Sequence, residues 1–172
     1  MGHEAYAPGS TGFDKVVEAF GNDLIADNGM IDRKKLGGKV FGQHNRSNMH
    51  KLEEIVWPEI WKLAETQIAF KWEKEKKKVV IIDAAVLLQA GWKEKVNQVW
   101  VSIVDTETAM QRIMERDGKS EDEARQRLSS QTSNQKFVDE ANVVFCSKWE
   151  ILYTRKQVDK AWNYLQQTYL SE

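Results

Sequence analysis

Residues Val79–Trp92 read VVIIDAAVLLQAGW, where four β-branched residues end on an aspartate and a second apolar segment follows. A short apolar run after the lysine-rich KWEKEKKK is typical of a buried strand in a parallel sheet, so we predict a strand over Val79–Asp83. Such a strand would place Asp83 at its carboxyl end, where open α/β sheets bind their ligands. A carboxylate there suits Mg²⁺ and phosphate chemistry, although the same aspartate could cap a helix or form a turn.

Two other segments share this short, apolar character: Val99–Val104 (VWVSIV) and Val143–Cys146 (VVFC). The segments between the three candidate strands look helical, and helices between strands imply crossover connections in a mostly parallel sheet. A chain of 172 residues fits one domain with a core of its own. We therefore predict a single α/β domain.

Helical periodicity and capping residues predict the remaining elements. We expect helices at Asp14–Phe20, Asp32–Phe41, Ser47 to about Lys77, Thr106–Arg116, Ser120–Gln131 and about Thr154 to Tyr169. Gly21 and Gly118 stand where helices should stop, and Ser120 and Glu123 have the spacing of a capping box. Proline fits the first turn of a helix but not its interior, so the long region should contain two helices that meet at Trp57–Pro58.

Charge and hydropathy narrow the classes of partner. The 25 basic and 26 acidic residues nearly cancel, so no overall positive field recruits nucleic acid or an anionic membrane. The single cysteine, Cys146, fits a reducing compartment, and no apolar run reaches the length of a membrane span or forms a signal-peptide core. These features predict a cytoplasmic protein with no nucleic-acid partner and no transmembrane segment.

One short motif imitates a phosphate-binding loop. Gly118-Lys119-Ser120 matches the end of G-x-x-x-x-G-K-[ST], but Ile113 stands where the first glycine should be and the segment follows a predicted helix instead of a strand. We therefore expect Gly118 to end one helix and Ser120 to cap the next, and no other segment of the sequence supplies the motif. The histidines lack the cysteine or carboxylate company of a metal site, so no metal site is predicted.

Arg112, Arg116 and Arg127 are candidate phosphate ligands. The first two are four residues apart and project from one helical face, and the third lies beyond the Asp117–Gly118 turn. Guanidinium groups suit phosphate because their planar donors bind it bidentately and keep their charge. Such a helical pair could close over a nucleotide and stabilise a transferring phosphoryl group. By spacing alone, the arginines could instead be salt-bridge partners of the neighbouring acids Glu115, Asp117 and Glu123.

A longer set of segments resembles one enzyme family. In order along the chain these are HEAYAPGS, VVEAFGNDLI, NGMIDRKKLGGKVFG, the Trp57–Pro58 step, IDAAVLLQAGW, VWVSIVDTETAMQRIMERDGKSEDEARQRLSSQ and the final VVF. They look like dephospho-coenzyme A (dephospho-CoA) kinase, and most like the kinase domain of the animal bifunctional coenzyme A synthase, where a Trp-Pro step and an IDAAVLL-x-AGW segment also occur. The agreement covers nearly the whole chain.

The resemblance implies transfer of the ATP γ-phosphoryl group to the ribose 3'-hydroxyl of dephospho-CoA with Mg²⁺, the last step of coenzyme A biosynthesis. It also implies a P-loop kinase-like, three-layer parallel sheet with helical substrate and lid segments. Residues 1–78 would form mainly acceptor-side helices, 79–105 the strands and crevice, 106–135 the lid region, and 136–172 the last strand and C-terminal helix. The substrate crevice would contain His3, Tyr6, Asp83, Leu88 and Gln89, and the lid would carry Arg112, Arg116 and Arg127.

The sequence departs from the family pattern. Trp57 stands where bacterial relatives usually have histidine, a change shared with the animal branch, and Gln89 stands where glutamate is common. The phosphate loop, its strand, and the second strand with the Asp-x-Asp element expected to supply the catalytic base are missing from the sequence, so the sheet would lack its first two strands. We therefore identify no catalytic residue, and we expect the isolated chain to bind neither ATP nor Mg²⁺ tightly and to have negligible kinase activity.

Two hypotheses follow from these observations. The chain is the substrate and lid part of a dephospho-CoA kinase, or it is a non-catalytic product that binds a CoA-like ligand or a protein partner. A third, a phosphate-loop kinase that acts on nucleosides, fits the ordered resemblance less well. A missing central strand would leave strand edges unpaired, which predicts self-association or pairing with the missing N-terminal segment. The family resemblance also implies an association with mitochondria.

Overall fold

The computed structural model describes residues 2–170, apart from the side chain of Gln43. The α-helices of this range are α1 (Thr11–Phe20), α2 (Arg33–Val40), α3 (Arg46–Glu73), α4 (Thr106–Asp117), α5 (Glu121–Ser129), α6 (Asn134–Glu140) and α7 (Ile151–Tyr169). The strands are β1 (Trp100–Ile103) and β2 (Val143–Cys146), and short 3-10 helices lie at Glu4–Tyr6, Asn22–Leu24, Gln43–Asn45 and Trp92–Lys95. The chain divides into two units, residues 1–85 and 86–172. None of the helices within residues 2–170 has the length and apolar character that crossing a bilayer requires.

The apolar cluster of the first unit forms around α1, α2 and α3. The Ser10 hydroxyl accepts from the Phe13 N–H at 3.1 Å and so starts α1, and Gly21 ends it with a φ of 102°. Asp32 caps α2 by accepting from two backbone N–H groups at 2.9 and 3.1 Å. The buried cluster consists of Ala5, Val16, Phe20, Leu24, Ile31, Leu36, Val40 and Val56. The helices predicted at Asp14–Phe20 and Asp32–Phe41 are confirmed as α1 and α2, and α1 begins about one turn before Asp14.

One continuous helix, α3, spans the region where two helices were predicted to meet at Trp57–Pro58, so that prediction is wrong. Pro58 has no N–H to donate, and a proline inside a helix costs about 3 kcal/mol. The neighbouring turns bury Val56 and Trp61, which are 8% and 4% exposed, and burial of one such side chain stabilises by roughly 1.5–3 kcal/mol. This burial offsets the cost of the proline, and the helix continues to Glu73.

The 3-10 helix Glu4–Tyr6 packs closely against α1 at Gly12. A Cβ atom at Gly12 would lie 1.9 Å from the Ala5 carbonyl oxygen and 3.4 Å from Glu59 Cγ, so only glycine fits without a shift of the backbone. Glu59 is buried and its carboxylate accepts from Lys62 Nζ at 3.0 Å, which lowers the pKa of Glu59. The close approach of Ala5 to Gly12 fixes where Glu4–Tyr6 lies on α1.

Residues 79–83, predicted as a buried strand, form no strand in the structure, so this prediction is wrong. Ile81 is 78% exposed. A strand forms when its N–H and C=O groups pair with those of a neighbour, and the only sheet of residues 2–170 is made by β1 and β2. The apolar composition of the segment is therefore not enough to make it a strand.

The second unit contains a two-stranded parallel sheet. β1 pairs with β2 in a register that sets Trp100 against Val143 and Ile103 against Cys146. The Trp100 and Phe145 rings meet edge to face with centroids 5.5 Å apart, and Phe145 is buried. The strands predicted near these positions, their parallel direction and the α/β class are thus confirmed.

Helices α4 and α5 follow β1 and form a helical hairpin. Asp105 caps α4 by accepting from the Thr108 N–H at 3.0 Å. Gly118 then ends α4 in the left-handed conformation with a φ of 62°. Ser120 and Glu123 form the predicted capping box at the start of α5. The prediction that the Gly-Lys-Ser segment is a helix stop and a helix cap is therefore confirmed.

Helix α7 covers the end of β2 but buries little of its own surface. The Gln157 amide accepts from the Cys146 N–H and donates to the Cys146 carbonyl, each at 2.9 Å, on the edge of β2 that faces away from β1. Large apolar side chains stay exposed at Trp149, Ile151, Leu152, Tyr153, Tyr164 and Tyr169. The side chain of Gln157 thus takes the place of a neighbouring strand at this position.

Candidate functional site

His3, Tyr6 and Arg33 come together in the first unit. His3 Nδ1 lies 3.0 Å from Tyr6 Oη, and Arg33 Nη1 lies 2.6 Å from His3 Nε2. Arg33 is the first residue of α2 and is 30 positions from His3, so packing of the unit creates this contact. The structure therefore brings together two predicted crevice residues, His3 and Tyr6, and adds a cation. We call these three residues the His3 cluster.

Hydrogen bonding determines the tautomer of His3 in this cluster. Arginine has only N–H donors, so His3 Nε2 accepts from Arg33 and the ring proton lies on Nδ1. Nδ1–H then donates to Tyr6 Oη, and the hydroxyl hydrogen of Tyr6 is available to another acceptor. Partial burial raises the pKa of Tyr6, while the positive charge of Arg33 lowers it by a smaller amount. The His3 cluster thus presents N–H and O–H donors and carries a positive charge.

The other predicted crevice residues lie outside regular helices and strands. Asp83 is exposed in residues 79–84, which have no regular structure. Leu88 is half-buried and Gln89 is exposed in the turns of residues 85–91. The Trp92 N–H donates to the Leu87 carbonyl oxygen at 3.0 Å and closes these turns over a buried indole. A crevice role for Asp83, Leu88 and Gln89 stays a prediction.

Asp117 joins two of the three predicted lid arginines. Arg116 donates from Nε and Nη2 to its two carboxylate oxygens at 2.8 and 2.9 Å, and Arg127 Nη1 donates at 2.7 Å. The guanidinium groups hold the pKa of Asp117 below its ordinary value, chiefly through the Arg116 hydrogen bond. The salt-bridge alternative is confirmed for this pair of arginines. Each guanidinium still has N–H donors that Asp117 does not use.

Arg112 has a different partner, at the carboxyl ends of the parallel strands. Its guanidinium donates to the Ser147 carbonyl oxygen and, at 3.3 Å, to the Ser147 hydroxyl. Ser147 follows β2, and its N–H donates to the Ile103 carbonyl oxygen at the end of β1. The structure therefore brings Arg116 and Arg127 to one carboxylate, whereas Arg112 binds to Ser147 at the carboxyl ends of β1 and β2.

Asp105 is a charged residue at the carboxyl end of β1 that the sequence patterns do not single out. It follows β1 in the way that Asp83 follows its apolar run, so the same strand-end signal could have identified it. Its carboxylate accepts from the Thr108 N–H at 3.0 Å and the Thr108 hydroxyl at 2.9 Å, and it lies 3.3 Å from Lys148 Nζ. The Thr108 N–H, followed by the Thr108 hydroxyl and Lys148, lowers the pKa of Asp105 to about 2.

Arg33 is also missed by the sequence patterns. The available signal was the run IDRKK, in which three basic residues open α2 against the direction favoured by the helix dipole. The contact that gives Arg33 its place in the site joins residues 30 positions apart, and no local pattern reveals such a contact.

The described residues form no all-protein metal cage, and Asp83, the carboxylate that was predicted to suit Mg²⁺, is exposed outside any helix or strand. No group of three or more His, Cys, Asp or Glu side chains within residues 2–170 could hold a metal. Mg²⁺ usually binds one or two carboxylates together with phosphate oxygens and waters. Asp105, the carboxylate at the edge of the sheet, is occupied by Thr108 and Lys148. The unused donors of Arg116 and Arg127, in contrast, suit phosphate oxygens.

Several known proteins similar to this chain are named dephospho-CoA kinase. A family model described as dephospho-CoA kinase matches residues 1–151. The dephospho-CoA kinase of Geobacter sulfurreducens is 34% identical over 162 residues, which are 94% of this chain and 81% of the relative. That of Symbiobacterium thermophilum is 33% identical over 93% of this chain and 66% of the relative. A solved structure described as dephospho-CoA kinase from Campylobacter jejuni has a TM-score of 0.67 and 24% identity, over 96% of this chain and 81% of that one, and shows likeness of fold.

Proposed function

Because the chain belongs to the dephospho-CoA kinase family, we propose that it takes part in the ATP-dependent phosphorylation of the ribose 3'-hydroxyl of dephospho-CoA, the last step of coenzyme A biosynthesis. The observation that carries this proposal is the family match over residues 1–151. That range includes both the His3 cluster and the predicted lid arginines. The closer resemblance to the animal bifunctional synthase is part of the proposal and rests on Trp57–Pro58 and the IDAAVLLQAGW segment.

Different parts of the chain would bind the two substrates. We assign residues 1–78 to the acceptor side, with His3 and Tyr6 as ligands of dephospho-CoA, and α4 and α5 to the lid. Arg116 and Arg127 keep N–H donors beyond those used by Asp117, so they can bind phosphate and stabilise the charge on a transferring phosphoryl group. The paired arginines would act as one cationic group because a single carboxylate holds both.

Phosphoryl transfer depends mainly on positioning and electrostatic stabilisation. The 3'-hydroxyl gives its proton to a general base and attacks the γ-phosphorus of ATP, the bond between the γ-phosphorus and the bridging oxygen of the β-phosphate breaks, and ADP leaves. A loop of N–H groups and a lysine around the phosphates normally holds ATP for this step, and the sequence of residues 1–172 contains no such motif. We therefore expect the polypeptide 1–172 to bind the acceptor and to have negligible kinase activity by itself.

Calorimetric titration and a coupled ADP assay test this proposal. Dephospho-CoA should bind the polypeptide 1–172, ATP should bind far more weakly, and no phosphorylated product should form. A folded preparation that does not bind dephospho-CoA would contradict the acceptor role. Steady turnover by a preparation free of any longer kinase would contradict the predicted inactivity. Arg116→Met serves as a matched control for the acceptor titration, because this lid residue should not change dephospho-CoA binding.

A non-catalytic product that binds a CoA-like ligand or a protein partner is the second candidate function. The exposure of large apolar side chains favours a partner, with Ile81 78% and Ile151 76% exposed. Complementation separates the candidates. If the chain is part of a kinase, adding a separately produced phosphate-loop segment of a relative should restore phosphorylation of dephospho-CoA. If the chain is non-catalytic, the mixture should stay inactive while acceptor binding persists.

The unpaired backbone of residues 79–83 supports a further part of the proposal. We propose that the complete sheet is P-loop kinase-like, that it includes strands beyond β1 and β2, and that residues 79–83 become a strand when a neighbour pairs with them. Such a neighbour would come from an N-terminal segment or from a second copy of the chain. The single-domain assignment, the cytoplasmic location and the association with mitochondria stay predictions.

A further inference from the structure

Arg33 is a surface cation that lacks a carboxylate partner among the described residues. Its Nη1 donates to His3 Nε2 at 2.6 Å, and the ion pairs formed within residues 2–170 do not include it. The neighbouring acid, Asp32, accepts from the backbone N–H groups of Lys34 and Lys35. The remaining N–H donors of the exposed guanidinium are therefore available to a ligand.

The other two members of the His3 cluster orient this cation and add a donor. His3 holds Arg33 through Nε2 and holds Tyr6 through Nδ1, so its ring connects the two. The hydroxyl hydrogen of Tyr6 is not used by His3, which donates to that oxygen. Burial raises the pKa of Tyr6, so the phenol keeps its hydrogen at neutral pH. A permanent cation and a hydroxyl donor thus lie on either side of one imidazole ring.

We propose that the His3 cluster is an anion-binding subsite and that it binds the diphosphate joining the two halves of dephospho-CoA. The identity of the ligand rests on the proposed function. Arg33 binds phosphate oxygens with the N–H donors that His3 leaves unused, and Tyr6 donates its hydroxyl hydrogen. His3 is a positioning residue, because it touches the guanidinium and the phenol and acts on the ligand through them.

Diphosphates of two sources share this chemistry, the acceptor and ATP. The cluster belongs to the unit that carries the acceptor-side helices, whereas the predicted lid arginines that suit ATP lie in the second unit. This division favours the acceptor as the source. It also means that loss of Arg33 should weaken binding of dephospho-CoA and leave any binding of ATP unchanged.

Titration of the polypeptide 1–172 and two variants tests the subsite. At constant ionic strength, Arg33→Met should weaken binding of dephospho-CoA about tenfold, because it removes charge-assisted hydrogen bonds to the diphosphate. Pantetheine, which lacks the diphosphate, should bind the variant as it binds the original chain. Lys34→Met is the matched control: it removes the same charge one position away and should change the dephospho-CoA affinity less than about twofold.

The positioning role of His3 has its own test. His3→Gln keeps an acceptor for Arg33 and should retain most of the dephospho-CoA affinity, whereas His3→Leu removes it and should approach the affinity of Arg33→Met. Equal losses in both His3 variants would contradict positioning by a hydrogen bond. A uniform loss for pantetheine as well would indicate damage to the fold, which the thermal melts of all variants check directly.

The outcomes distinguish failure of the subsite from failure of the proposed function. Unchanged dephospho-CoA affinity in a folded Arg33→Met variant overturns the subsite, and an equal loss for ATP overturns its assignment to the acceptor. If the original chain does not bind dephospho-CoA, the proposed acceptor role fails, and inorganic diphosphate then tests the subsite alone. NMR signals of the His3 ring should shift with diphosphate in the original chain and not in Arg33→Met, and an absence of shift in the original chain overturns the subsite.

Discussion

The carboxylates of Glu123 and Asp105 are held ionised mainly by hydrogen-bond donors close to them in sequence. Glu123 accepts from Lys119 and from the Ser120 N–H, which lower its pKa to about 2. Asp105 accepts from Thr108, three residues later. Such short-range contacts follow from capping geometry, so the Glu123 interaction could be predicted from spacing. The contact between Arg33 and His3 could not, because it depends on how separate helices pack.

The pKa of Asp105 gives a prediction at this scale. Its value of about 2 in the folded chain lies below the value of about 3.9 for an unperturbed aspartate. A lowered pKa contributes stability that is present above about pH 4 and is lost as pH falls toward about 2. The stability difference between the original chain and Asp105→Asn, measured by urea unfolding, should therefore shrink over this range. An Asp105 carboxyl NMR signal that titrates near 3.9 would contradict the assignment.

At the scale of elements, burial and pairing decide where sequence signals hold. α3 continues through Pro58 because flanking turns bury Val56 and Trp61. Residues 79–83 have the composition of a strand, yet they form none because the described residues provide no pairing neighbour. β1 and β2 had equally short apolar runs and became strands because each is the neighbour of the other.

The contact of α1 with the 3-10 helix at Glu4–Tyr6 gives a prediction for one glycine. Gly12→Ala would place a Cβ atom 1.9 Å from the Ala5 carbonyl oxygen, and the resulting shift should cost about 1–3 kcal/mol of unfolding free energy. Gly38→Ala is the control, since its Cβ meets no atom within 4 Å and alanine favours the helix by about 1 kcal/mol. Chemical unfolding should show the first variant less stable than the original chain and the second no less stable. Equal stability of both would contradict the close packing.

At the scale of the whole molecule, much apolar surface has no cover in the described structure. Ile81 belongs to the first unit and the exposed side chains of α7 belong to the second. Each unit therefore leaves large apolar side chains in contact with solvent. Exposed apolar surface of this kind is consistent with the proposal that an N-terminal segment or a second copy of the chain covers it. The unpaired backbone of residues 79–83 and the exposed apolar side chains are therefore the two features from which we expect association.

Sedimentation of the polypeptide 1–172 tests the expected self-association. The chain should form dimers or larger species at micromolar concentration, and Ile81→Lys should shift it toward monomer, because a charge on an exposed strand-forming segment opposes pairing. Met30→Lys is the control, since it introduces the same charge at an exposed apolar side chain outside both residues 79–83 and α7. A monomeric profile of the original chain together with a cooperative melt would count against association through this segment.

The sequence by itself determined the capping box of Ser120 and Glu123, the stops at Gly21 and Gly118, the parallel direction of β1 and β2, and the ordered segments that identify the family. These follow from residues within a few positions of one another, where backbone geometry limits the choices. Only the tertiary structure decided that α3 passes through Pro58, that residues 79–83 form no strand, and that Arg33 meets His3 and Tyr6. Those outcomes depend on burial and pairing between distant residues, and a local pattern does not record which distant residues become neighbours.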